Sequence, residues 1–282
     1  MKIFIAVDME GVTGVVHPEQ LTPDGRGYQQ AQHFLVDDIN AVIRGVLRVY
    51  PQATFVVGDG HATMRNVLLD KLHPSAELVV GAATAANKPL CQLEGIQYGA
   101  DLAMCVGYHT MAGTPGGLLA HTFIGSLISD LRMNGHSVGE VEVNAAILGA
   151  HGVPLALVAG NSDLESEVRS WNADSVFVST KTVLGPTAAI CKTPQITSEL
   201  LSDAAFNAVS DSKYWFTAPN AATRFEVYTK QPEQAARVHD LEGVERISES
   251  AFAVQAPDAA QAFRMLWSTC LQALGELPFW LR

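Results

Sequence analysis

A chain of 282 residues that is 48% hydrophobic and 17% charged has enough apolar content for a substantial core and is not a disordered polymer. Its formal charge of −11 argues against nucleic acid or an anionic membrane surface as the main partner. The amino-terminal apolar run is short and breaks at Asp8, and no stretch is long and apolar enough to span a bilayer. A secretory signal and membrane insertion are therefore not expected, and a cytoplasmic protein is. Cys91, Cys105, Cys191 and Cys270 are far apart, form no CxxC pair and read as buried, reduced thiols.

Five apolar residues at 3–7 predict a strand buried on both faces. The run stops at Asp8-Met9-Glu10-Gly11. Carboxylates at i and i+2 on an extended backbone point to the same side, here at the strand end where open α/β sheets bind ligands. Two like charges held there repel each other unless a cation or a shared proton compensates them, and oxygen donors suit a divalent metal. A solvated acidic loop is the bland alternative. A long loop at 12–26 leads to an amphipathic helix at 28–49, with Phe34, Leu35, Ile39, Val42, Ile43 and Val46 on the core face. A strand at 54–57 ends in Gly58-Asp59-Gly60-His61. A helix at 63–72 and a strand at 78–81 follow. The strand at 102–106 ends in Gly107-Tyr108-His109. Alternating strands and helices predict an α/β fold, a mostly parallel sheet with helices on both faces, so the three polar strand ends converge on one edge.

A TPGG turn at 114–117 precedes His121, and Asn134-Gly135 predicts a hairpin over 131–138. Gly139 and Glu140 open a helix through 148. Strands at 154–159 and 175–179 are joined by a helix near 163–171. From about residue 184 the pattern changes to helices at 200–209, 231–238 and 258–274 and strands at 223–229 and 251–255. Phe263, Leu266, Trp267, Cys270 and Leu274 fall on one face of the last helix and read as packing. This predicts a metal-binding catalytic α/β domain at 1–183 and a smaller carboxyl-terminal α+β subdomain at 184–282, packed on the first. The second part holds no ligand cluster; its expected roles are packing, substrate fencing or oligomer contacts.

Asp8, Glu10, His61, His109 and Glu140 are the candidate metal donors. Two imidazoles and three carboxylates suffice for two metals sharing one bridging carboxylate. Zinc suits mixed nitrogen and oxygen donors and leaves positions for an attacking water. Taken singly, each histidine reads as a structural hydrogen-bonder and Glu140 as a helix-dipole partner. His17, His33, His73, His136, His151 and His239 carry no assigned role.

The pieces VDMEG at 7–11, GDGH at 58–61, GYH at 107–109, TPGGLLAHT at 114–122 and NGHSVGEVEVNA at 134–145 occur in one order. In these the chain resembles the zinc D-aminopeptidases associated with bacterial dipeptide-transport operons, up to about residue 160 and more weakly beyond. The loop before His121 is one residue longer than the family pattern. The resemblance implies two zinc ions per chain, bridged by Asp8 and completed by Glu10, His61, His109 and Glu140. Glu10 and His109 are allotted to one ion, His61 and Glu140 to the other. It implies His121 as the catalytic residue. It also implies a homo-oligomer in the form of a decameric ring, and release of amino-terminal D-residues such as D-alanine from short peptides or amides. A metal-dependent amidase or phosphoesterase, or a non-catalytic α/β protein holding a small ligand, are the alternatives.

Overall fold

In the computed structural model, which describes residues 1–276, apolar runs become buried strands. In chain order, β1 (Lys2–Val7) is followed by α1 (Tyr28–Leu47), β2 (Thr54–Asp59), β3 (Ala76–Val79) and β4 (Leu102–Tyr108). Next come β5 (Ile128–Met133), β6 (His136–Ser137), α2 (Glu140–Ala150), β7 (Leu155–Asn161) and α3 (Leu164–Trp171). The chain then forms β8 (Val176–Gly185), β9 (Ala188–Cys191), α4 (Pro194–Ser210), β10 (Thr223–Thr229) and α5 (Pro232–Ala236). It finishes with β11 (Glu245–Ser248), β12 (Ala251–Ala256) and α6 (Ala259–Leu274).

The first sheet has the order β3-β2-β1-β4-β7-β8-β9, parallel except at β9. Side chains alternate across a strand, so β1 feeds two cores. Ile3, Ile5 and Val7 pack with α1 and α4, while Phe4 and Ala6 pack with residues of α2 and α6. Helices cover both faces, which is why β1 carries almost no polar residue.

The second sheet, β11-β12-β10-β5-β6, is antiparallel. The Asn134-Gly135 hairpin forms between β5 and β6, and both residues have left-handed backbone, φ +52° and +92°. The sheets do not divide the chain at 183/184. β5 and β6 come from the first part of the chain, and β5 pairs with β10, whereas β9 pairs with β8 and α4 packs on α1. The cause lies in edges: β8 continues past the expected end at 179 and its free edge takes the next segment.

Other expectations shift. The loop at 12–26 contains a short 3₁₀ turn, Pro18–Leu21, capped by His17. α4 starts at Pro194, where proline suits the first turn. β11 is strongly exposed and has no apolar pattern to announce it. Cys191 is exposed, unlike the other three cysteines. Residues 63–72 are not a helix: only Leu69–Lys71 form a 3₁₀ turn. The Asp59 carboxylate takes the Asn66 N–H at 2.5 Å and the Val67 N–H at 3.3 Å, bonds that a helix would have needed inside itself.

Candidate metal centre

Strand register brings the polar ends together. Val7 pairs with Asp59 of β2 and with Val106 of β4, so the three strands stop at nearly the same level. Beyond them the backbones stay linked, by Asp8 N–H to Val106 O at 3.0 Å, Gly60 N–H to Val7 O at 2.9 Å and Gly11 N–H to Gly107 O at 2.7 Å. The approach is close enough to require glycine. A Cβ on Gly11 would lie 2.0 Å from the Tyr108 carbonyl oxygen. Gly107 has φ +83°, and a Cβ there would lie 2.1 Å from the Asp8 carbonyl oxygen.

Asp8, Glu10, His61, His109 and Glu140 meet in one buried cluster. His61 Nδ1 lies 3.1 Å from Glu10 Oε2 and 3.4 Å from Asp8 Oδ1. His109 Nε2 lies 3.2 Å from Asp8 Oδ2 and 3.6 Å from Glu140 Oε1. Asp8, Glu10 and His61 thus form one donor triad, and Asp8, His109 and Glu140 a second, with Asp8 common to both. These two triads join Glu10 with His61 and Glu140 with His109; the expected pairing of Glu10 with His109 occurs in a further grouping, that of His61 with Glu140 in none. A third grouping of Glu10, His109 and His121 places His121 beside the cluster. Its Nε2 is 4.0 Å from Glu10 Oε1, and its ring stacks on that of His109 at 4.2 Å.

Tautomers follow from carbonyl partners, which can only accept. His61 Nε2–H donates to Leu21 O at 2.9 Å, leaving Nδ1 for the cluster. His109 Nδ1–H donates to Thr110 O and His121 Nδ1–H to Leu119 O, each at 2.9 Å, leaving both Nε2 atoms inward. His109 Nε2 is buried without an aligned hydrogen bond. Among the described residues no lysine or arginine forms an ion pair with the three carboxylates. Inward lone pairs facing uncompensated buried carboxylates fit divalent cations. The electrostatics agree. Burial disfavours the charged form of Asp8, but the His109 and His61 hydrogen bonds outweigh it and hold the carboxyl well below the usual range. Burial likewise pulls the His61 and His109 imidazoles down, yet the surrounding carboxylates push both well above the ordinary histidine value.

Glu140 begins α2, and its carboxylate accepts the Phe123 N–H at 2.7 Å and the Gln92 amide at 3.5 Å. Several supporting residues escape sequence reasoning. Asp59 accepts the His61 N–H at 3.1 Å, and Lys88 Nζ donates to the Asp59 carbonyl at 2.6 Å. The segment after Glu10 is pinned residue by residue. Thr180 Oγ1 donates to Gly11 O at 2.7 Å and Lys181 Nζ to Val12 O at 2.5 Å. Asp38 accepts the Thr13 N–H at 2.9 Å and its hydroxyl at 2.8 Å. The GDG strand end was the available signal for Asp59; nothing in the local pattern marks Lys181.

The cluster opens into a cleft walled by Gly60, Ala62, Met64, Cys91, Phe123 and Trp267. Ala62, Met64, Cys91 and Phe123 all have left-handed backbone, φ +43° to +54°, as does Leu119, which orients His121. Such strain in non-glycine residues gathers at functional sites. Burial pushes the Cys91 thiol well above its usual value. A larger cavity of about 740 Å³, between residues 110–115 and α3, contains none of the five donors.

A D-aminopeptidase of Bacillus subtilis (strain 168) is 28% identical over 203 residues, 72% of each chain. The fold matches that of the Zn-dependent D-aminopeptidase DppA from Bacillus subtilis, a self-compartmentalizing protease, with a TM-score of 0.89. That match spans 98% of this chain and 99% of that one at 24% identity, a likeness of fold. The model of one peptidase family covers residues 1–268, from β1 through Trp267, and by that match the chain belongs to the M55 peptidases, the D-aminopeptidase family.

Proposed function

We propose that the protein is a zinc-dependent aminopeptidase that releases amino-terminal D-residues, D-alanine among them, from short peptides or amides. The observation that carries this reading is the Asp8 carboxylate shared by two buried donor triads. Family membership supports it. Glu10 and His61 would hold one ion, His109 and Glu140 the other, with Asp8 between them. Bound there, two zinc ions supply Lewis acidity: they lower the pKa of water and polarise a carbonyl. The chain supplies the rest. With two cations bound against three carboxylates, the centre would take a substrate's free amine in its neutral form rather than its ammonium, and so would favour cleavage next to a free amino terminus. His121, with Nδ1 held by the Leu119 carbonyl and Nε2 turned inward, moves a proton to the leaving amine or steadies the developing oxyanion.

Assembly with copies of itself, as a decameric ring, belongs to the same reading. The structural neighbour is self-compartmentalizing, and Leu184, Ile190 and Ile196 lie exposed around the β8–β9 hairpin and the start of α4.

The test is hydrolysis of D-Ala-D-Ala against L-Ala-L-Ala, in zinc and after a chelator. Only the D-peptide should be cleaved, the chelator should abolish turnover and added zinc should restore it. Equal or faster cleavage of the L-peptide would reject the stereochemistry. Full activity after verified metal removal would reject the metal.

A further inference from the structure

Glu10 lies in no strand or helix, yet it is buried and its carboxylate meets His61 Nδ1 at 3.1 Å. The turn that carries it is fastened by two irregular strands. The register of β4 against β7 skips Gly107: Val106 pairs with Ala159 and Tyr108 with Gly160. The register of β8 against β7 skips Thr180 in the same way, with Ser179 opposite Gly160 and Lys181 opposite Asn161. Each strand has one residue too many at that level, and the two bulges flank Gly160. Both reach Gly11. Its N–H donates to Gly107 O at 2.7 Å, and its carbonyl accepts the Thr180 hydroxyl at 2.7 Å.

In a regular strand, neighbouring side chains point to opposite faces, and a bulge re-aims them. Here Thr180 and Lys181, adjacent in sequence and both fully buried, donate to adjacent carbonyls, Gly11 O and Val12 O. Burying an ammonium is costly, and the turn that this one fixes carries a donor of the cluster. With Thr13 tied to the Asp38 carboxylate of α1, residues 11, 12 and 13 are each held from outside the turn. The hydrogen bonds of His109 and Glu140 go to Thr110, Phe123 and Gln92, none of them in β8. We propose that Thr180 and Lys181 are positioning residues for the Glu10–His61 zinc site: by holding the Gly11 and Val12 carbonyls they fix the turn that aims the Glu10 carboxylate at His61. The His109–Glu140 site does not depend on them. The inference rests on the metal-centre reading above.

The experiment isolates each site and reads the zinc affinity of the full chain, stripped of metal, by competition with a chromophoric chelator. In a Glu140→Ala background only the Glu10–His61 site remains; in a His61→Ala background only the His109–Glu140 site does. Thr180→Val keeps the shape of the side chain and removes the hydroxyl. It should weaken zinc by about tenfold or more in the first background, the usual cost of losing a group that orients a ligand, and leave the second unchanged. Thr180→Ser, which keeps the hydroxyl, should bind zinc as its parent does in both. Lys181→Met should show the same asymmetry, and it decides the question if the valine variant does not fold. Equal losses in the two backgrounds would reduce both residues to general supports of the fold, and no loss in the first would overturn the positioning outright. A wild type that takes up no zinc rejects the metal centre itself, and the positioning with it.

Discussion

Asp8 carries the greatest burden of any side chain in this molecule, because both donor triads depend on its two oxygens. Asp8→Ala should reduce bound zinc from about two equivalents to near zero, whereas Glu140→Ala should remove only the ion on the His109 side. Elemental analysis after gel filtration decides this, and full zinc retention by Asp8→Ala would remove the bridge. His121 should separate chemistry from metal holding. His121→Ala should keep its zinc and its melting temperature while turnover falls by about two to four orders of magnitude. A zinc-loaded, nearly fully active variant would exclude it from the mechanism, and a zinc-depleted one would make it a ligand. Asp8 and Glu10 were legible in the sequence as a carboxylate pair at a strand end, but β1 stops at Val7 and a turn, not strand alternation, brings the two together. His61, His109 and Glu140 were named with them, but which donor faces which was not legible, since the pairing of Glu10 with His61 depends on how two loops fold back. Trp267 was read as one more apolar residue on a helical stripe, and its stripe does pack. Only the third dimension shows it among the residues that line the cleft.

At the level of elements, the segment after β1 is held by β8 and α1 through two ionisable groups buried in opposite senses. Burial pushes Lys181 down to about 7 and Asp38 up to about 6. An unfolded lysine keeps its proton to about pH 10.4, so between pH 7 and 10 the unfolded chain binds more protons here and stability rises with pH. Below about 7 both states are protonated and that gain is absent. Asp38 acts oppositely: the folded state binds more protons between about pH 4 and 6, so its contribution is lost as pH rises through that range. Lys181→Met should therefore flatten the alkaline limb of the melting profile, changing the rise between pH 7 and 10 by about 3 °C or more. A variant whose profile parallels wild type over that range would contradict the lowered lysine value. Most elements were legible from periodicity, including β1, α1, the Asn134-Gly135 hairpin and α6. The helix expected at 63–72 failed because helix-compatible residues were captured by one side chain, Asp59, outside the segment. Periodicity is blind to such competition.

Across the whole molecule the α/β class was readable from the alternation of strands and helices, but the partition into two consecutive halves was not. Which sheet a strand joins depends on free edges, and β5 finds its edge in β10, about ninety residues downstream by the Phe225–Met133 pairing. The same interleaving sets an order of events during synthesis. A chain leaves the ribosome amino terminus first, and its early segments begin to fold before the late ones exist. The five donors lie between residues 8 and 140, and β1, β2 and β4, which position Asp8, His61 and His109, precede α2. Phe263 and Trp267 come last. The five candidate donors are thus synthesised before α6, the last helix among the described residues, which adds Trp267 to the lining of the cleft.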